Sequence, residues 1–316
     1  MTHPLPLAIA TAVFLAAQPR ISTAFPVTVT SCDREVTVTA PPERAIVHGS
    51  NLVEIMLALG LEDRMMGYSG RLERDQTARL FPAVADLDQI QREYLTLERI
   101  LEADPDFYFA GWSYGMRIGG EVTPDSLRRY DIPVYELSES CIRLGQQNRP
   151  GFDYLFRDLQ NLAAIFGVPE RADALIADFH ARLAQIVARV ARQDERPRVF
   201  VYDSGEKVPM TAGGFAMPQA IITAAGGANI AEDIKNSWVR IDWETVAERD
   251  PQVVLIVDYG EVPAEEKIAY MRNHAAFSHI AAVREDRFLV LSYDDLTPGP
   301  RNIDAVETLA NFLMND

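Results

Sequence analysis

A chain of 316 residues, 48% of them hydrophobic and 24% charged, carries enough apolar side chains for two compact domains and too many for a disordered polymer. Its formal net charge of −16 and pI near 4.8 exclude nucleic acid and an anionic membrane surface as partners, because both would repel it. No basic cluster offsets that charge.

Residues 1–24 read as an export signal. Pro4 to Ala17 is apolar but shorter than the roughly 20 residues a membrane span needs, and Ser22-Thr23-Ala24 offers small residues for cleavage. Two cysteines in an exported chain are expected to pair, which would join Cys32 to Cys141. The competing reading takes Val29-Thr30-Ser31-Cys32 as a lipoprotein box; it ranks lower because the apolar run ends well before it.

Next, Phe25 to Thr39 alternates apolar and polar residues around Ser31-Cys32-Asp33, a strand, turn and strand. Ala45-Ile46-Val47 is a short buried strand, Ser50-Asn51 can cap a helix Leu52 to Leu59, and Gly60 stops it. A strand leading from Arg64 to Tyr68, a helix at Leu97, a strand at Phe107, a helix opening at Thr123-Pro124 and a strand Val134 to Leu137 follow. That alternation implies a parallel sheet covered by helices. Pro169 to Gln193 then reads as one long helix, with Ala172, Leu175, Ile176, Phe179, Leu183, Ile186, Val187 and Val190 on one stripe. At about 1.5 Å per residue it would span roughly 37 Å, long enough to serve two lobes. Beyond it come a strand Arg198 to Tyr202, a helix Met217 to Ala224, a strand Phe288 to Leu291 and a helix Ile303 to Leu313.

One unit occurs twice. Leu97-Glu98-Arg99-Ile100-Leu101-Glu102-Ala103-Asp104-Pro105 and Trp243-Glu244-Thr245-Val246-Ala247-Glu248-Arg249-Asp250-Pro251 align without a gap. Each is followed by an apolar run of strand length, Phe107 to Ala110 or Val253 to Ile256. The fold expected is α/β: two lobes, each with a parallel helix-covered sheet, bridged by one long helix. The N-terminal lobe covers 25–150, the helical segment 151–194 and the C-terminal lobe 195–316.

This pattern resembles the helical-backbone class of periplasmic substrate-binding proteins, which serve ABC importers of ferric siderophores, haem, cobalamin or metal ions. Its carriers are Pro42-Glu43-Arg44-Ala45-Ile46-Val47, Glu54 to Gly60, Leu97 through Asp106, Gly226-Gly227-Ala228-Asn229-Ile230 and Pro300-Arg301. The resemblance implies a periplasmic monomer that closes little on its ligand and hands it to an ABC importer permease. The glutamates that dock on the permease in that family match Glu98 and Glu244 here. The metal-ion branch of the class aims His and carboxylate ligands into its cleft, and that set is missing. His48 reads as an ordinary polar residue at a sheet end, His180 falls on the polar face of the long helix, and His274 and His279 lie in a late surface-like segment. No metal site and no resident cofactor are therefore expected.

Ligands of such sheets bind in loops beyond the carboxyl ends of the strands. The loops so identified hold Tyr68, Arg71, Trp112, Tyr114, Arg117, Tyr202, Phe215, Trp238, Arg240, Tyr293 and Arg301. Aromatic planes with guanidinium forks suit an anionic, ring-bearing ligand, and a ferric siderophore is the expected iron chelate. Trp238 and Trp112 are expected to face each other over it, with Arg117 and Arg240 on its oxygens. Trp238 stands six residues before Glu244, as a cleft tryptophan does in the cobalamin-binding relative, whereas Tyr293 stands where that relative has an aspartate. Cobalamin or haem is the alternative ligand. A different chemistry, a secreted serine hydrolase, would use Gly111-Trp112-Ser113-Tyr114-Gly115 as a nucleophile elbow with Asp258 and His274 or His279. A true elbow turns straight into a helix, and here Met116 to Gly120 intervenes.

Overall fold

The computed structural model describes residues 24–146, 151–192 and 195–314; the expected export signal lies outside them except for Ala24. An antiparallel hairpin of β1 (Val27–Ser31) and β2 (Arg34–Val38) leads the chain in. The N-terminal lobe then builds a parallel sheet from β3 (Ala45–His48), β4 (Met65–Ser69), β5 (Gln89–Gln91), β6 (Phe107–Trp112), β7 (Gly115–Met116) and β8 (Val134–Glu136). Its order is β5-β4-β3-β6, with β7 and β8 both pairing β6. In the C-terminal lobe β9 (Arg198–Tyr202), β11 (Ala228–Asn229), β13 (Val253–Asp258) and β14 (Phe288–Ser292) form a second parallel sheet, ordered β11-β9-β13-β14. A small antiparallel pair, β10 (Met210–Ala212) with β12 (Trp238–Arg240), stands apart from it.

The period-two pleat decides where each strand residue goes. Ala45, Val47, Phe107 and Phe109 of one sheet and Val199, Val201, Val253 and Leu255 of the other enter one continuous apolar core. Their neighbours in sequence point the other way, into an outer core on each lobe: Ile46, Tyr108 and Ala110 in the first, Phe200, Val254 and Ile256 in the second.

The long helix runs Pro169–Val190, with proline in its first turn. It buries Ala172, Ile176, Phe179, Ile186 and Val190 in the shared core, while Leu175 and Leu183 pack at its edge. Val187 departs from the expected stripe and is exposed. Arg171 Nη1 donates to the carbonyl of Leu59 at 2.9 Å, and Arg182 pairs with Asp304 of the terminal helix Asn302–Met314. The helix is thus fastened to both lobes.

The repeated unit folds alike in both places. The helices Leu97–Ala103 and Trp243–Arg249 each end on an aspartate in the left-handed region, Asp104 at φ 52° and Asp250 at φ 39°, and the following proline forbids continuation. Thr96 caps the first helix by accepting from Arg99 N, whereas Asp242 makes no such bond. Ser50 and Asn51 also differ from expectation: the helix Ser50–Ala58 already includes them, and neither side chain caps it. Both are spent on the opposite lobe instead. Cys32 and Cys141 are joined, with Cα atoms 5.4 Å apart, so Cys32 has no free thiol for a lipid.

Candidate functional site

A cleft of about 610 Å³ opens between the lobes at the carboxyl ends of β3, β4, β6, β13 and β14. A recess of similar size, about 560 Å³, lies against β2 and the amino ends of β6 and β8, where parallel sheets do not bind ligands. The cleft wall from the N-terminal lobe includes His48, Arg71, Tyr94, Ser113 and Tyr114. Facing it are Asp258, Tyr259, Glu261, Tyr293 and Asp294.

His48 closes β3 and is buried. Its Nδ1 lies 2.9 Å from Ser69 Oγ and its ring stands edge-on to Tyr94, centroids 4.6 Å apart. Burial holds its pKa down to about 4, so the imidazole is uncharged at neutral pH. Gly115, at φ 96°, permits this packing: a Cβ there would sit 2.7 Å from His48 Cβ. The Tyr259 and Tyr293 rings lie against each other, centroids 5.0 Å apart and planes tilted by 38°. Burial, and then the nearby carboxylate of Asp203, pushes the Tyr259 hydroxyl up to about 12. Burial likewise raises Tyr114 and Tyr293, so all three rings present neutral phenols.

Polar bonds stitch the lobes together beneath the cleft. Ser50 Oγ donates to Asp294 Oδ1, Asn51 Nδ2 donates to the Pro298 carbonyl at 2.9 Å, and Ser237 Oγ donates to Glu139 Oε1 at 2.8 Å. Arg301 grips Glu54 with both Nε, at 2.7 Å, and Nη2, and Thr77 Oγ1 donates to the same carboxylate at 2.9 Å. Asp294 is raised to about 7, chiefly by burial and then by the negative Glu54, against the pull of Ser50 and Arg301.

Of the residues singled out from sequence, Arg71, Tyr114 and Tyr293 come together in the cleft. Tyr68 is buried behind its wall and accepts from Arg74 Nε at 3.2 Å. Trp112 follows the pleat into the outer core with Tyr108, and its Nε1 donates to Glu136 Oε1 at 2.8 Å. Tyr202 is buried between Phe200 and Trp243 in the other outer core, and Phe215 is buried. Trp238 lies on β12, half-buried against the shared core, so the two tryptophans do not sandwich a ligand. Arg117 stands over the Tyr94 ring at 4.5 Å, Arg240 Nη1 donates to the Val208 carbonyl, and Arg301 is committed to Glu54. The arginine set expected for an anionic ligand is not assembled. His48, read from sequence as an ordinary polar residue at a sheet end, and Tyr94, Tyr259 and Glu261, not singled out from sequence, also line the cleft; His48-Gly49 and Tyr259-Gly260 directly follow apolar runs and carry the same signal as the loops chosen.

Ser113 does lie at the cleft, but in a left-handed turn (φ 71°) that joins β6 to β7 and not to a helix, so the elbow is not built. His274 is exposed and stacks on Phe277 beside Tyr270 at the surface of the C-terminal lobe, and the imidazole lining the cleft is His48.

Among known proteins, the chain is similar over 297 residues, at 23% identity, to an uncharacterized ABC transporter substrate-binding lipoprotein of Bacillus subtilis, covering 92% of this chain and 87% of that one. A cobalamin-binding protein of Halobacterium salinarum is 25% identical over 306 residues, covering 92% of this chain and 75% of the relative. The fold is shared with an ABC-type Fe3+-hydroxamate transport protein of Saccharomonospora viridis at a TM-score of 0.79 and 24% identity, over 92% of this chain and 99% of that one. The family model described as periplasmic binding protein matches residues 46–294, which takes in both sheets and the helix between them. The chain belongs to the periplasmic binding protein family and is a periplasmic protein.

Proposed function

We propose that this protein captures a bulky metal complex, a ferric siderophore, in the periplasm and delivers it to an ABC importer. The observation that carries this reading is the interlobe cleft, walled from both sides by neutral tyrosines at the carboxyl ends of two parallel sheets. Such rings give contact area to a ring-bearing or many-armed chelate at little cost in side-chain entropy. Resemblance in sequence to cobalamin-binding relatives supports a corrinoid as the second reading. Calorimetric titration of the purified protein with ferric hydroxamates, ferric catecholates, cobalamin and haem ranks them directly. The Tyr293→Ala variant is expected to weaken the best ligand more than tenfold, about 1.4 kcal/mol or more. An unchanged dissociation constant would move the site elsewhere, and no binding by any of them would refute the reading.

Delivery requires a docking surface. Glu98 and Glu244 are exposed in the first turns of the two matching helices, one on each lobe. A glutamate there also compensates the helix dipole, worth about 0.3–1 kcal/mol. If the pair serves only that purpose, Glu98→Ala with Glu244→Ala will lower stability slightly and leave uptake intact. The docking role instead predicts loss of uptake in cells carrying the double variant, with ligand affinity of the purified protein unchanged.

A further inference from the structure

The charge lining the cleft is predominantly negative. Glu73 comes from the N-terminal lobe, Asp258 and Glu261 from the C-terminal lobe, and the one guanidinium among the described lining residues is Arg71; Asp294, buried and raised to about 7, adds only part of a charge. Of the other cations nearby, Arg301 is neutralised by Glu54, while Arg117 lies over the Tyr94 ring and Lys267 behind Tyr259, its Nζ given to the Val257 carbonyl at 2.6 Å, and neither is among the lining residues. A second observation has the same sign. Asn51, buried at the cleft floor, gives its amide N–H to Pro298, while its Oδ1 is an acceptor with no donor among the described residues. A buried acceptor left unpaired costs free energy, and a ligand N–H or ammonium would relieve it.

Resting on the chelate reading above, we infer that the cleft selects metal complexes that are neutral or positively charged and bear N–H donors, and rejects polyanionic ones such as ferric tricatecholates. The selection is a difference in affinities, produced as much by repulsion of the wrong charge as by attraction of the right one. Asp258, which ends β13, and Glu261, on the loop after it, are the residues that set it. Asp258 Oδ1 also accepts from Ala264 N at 3.1 Å, a bond an asparagine oxygen can keep, and Glu261 is exposed. Both can therefore be neutralised without disturbing the fold.

One trihydroxamate in three charge forms makes the test. Ferrioxamine B carries a free ammonium and one positive charge; its N-acetyl form is neutral and its N-succinyl form carries one negative charge. Titrated at about 0.01 M salt, where the screening length is roughly 30 Å, affinity should fall from cation to neutral to anion by at least about tenfold in all. At about 1 M salt, with screening near 3 Å, the spread should shrink severalfold. Combining Asp258→Asn with Glu261→Gln should shrink it in low salt too, with the melting curve unchanged. A flat or reversed order would overturn the charge selection while leaving the chelate reading standing. An order that survives unchanged in the double variant would take the role away from these two carboxylates. Binding of a ferric tricatecholate in preference to this series would overturn the inference and leave the chelate reading standing, whereas no binding by the series, ferric catecholates, cobalamins or haem takes down both.

Discussion

Arg301→Ala is expected to lower the unfolding free energy by about 3–5 kcal/mol, because it strands a carboxylate in the interior. Glu54 is fully buried and Arg301 nearly so, at 0% and 7% exposure. With the guanidinium gone, Thr77 Oγ1 is the remaining hydrogen-bond donor to Glu54 among the described side chains, far short of what an ionised group needs away from water. The charge, more than the lost contact, carries the penalty. Adding Glu54→Gln to Arg301→Ala should therefore restore more than half of the loss, an interaction term that urea denaturation of the four proteins in the cycle measures. A single variant that costs less than about 1 kcal/mol would show that water reaches the carboxylate and that the pair is not sealed.

Opening the Cys32–Cys141 bridge should have an effect of similar size through a different route. The bond closes a loop of 109 residues, and the chain-entropy model assigns such a closure about 4–5 kcal/mol, lost from the unfolded state and not from native contacts. Cys32→Ser with Cys141→Ser is expected to lower the melting temperature by on the order of 10 °C. Affinity for the best ligand should stay the same, since neither cysteine lines the cleft. Melting with and without a reductant gives the same comparison on the unmodified protein; coincident curves would mean that the bond is not formed in the exported protein.

Much of the architecture was legible because it rests on local signals. The helix Met217–Ala224 has the expected bounds, and the double Asp-Pro ending marked the repeated unit before the left-handed aspartates explained it. Strand interiors were legible for the same reason, since runs such as Val253 to Val257 are buried on both faces and read as unbroken apolar stretches. The candidate site was legible only in outline. Whether Trp112 faces the cleft or the outer core depends on where β6 ends: two residues more of strand than the apolar run suggested commit it to the pleat and to Glu136. Arg301 looked available because nothing local announces Glu54, which lies 247 residues earlier. Ser50 and Asn51 read as caps for the same reason, their partners Asp294 and Pro298 being on the other lobe. Sequence reports what a residue can do nearby and is silent on a better offer from far along the chain.

The inward faces of β3 and β6 in one lobe and β9 and β13 in the other meet a single apolar core, into which the long helix also inserts its stripe. The two lobes are therefore halves in shape but not in thermodynamics. Prying them apart would expose that core to water and unpair the buried charges beneath the cleft, so wide hinge opening belongs on the unfolding coordinate and not among the motions of the working protein. Little of the energy of ligand capture then goes into bringing the walls together. On the proposed reading, affinity would then be set by how well a complex fits a gap of nearly fixed width, and a permease would have to read occupancy from a small change in shape.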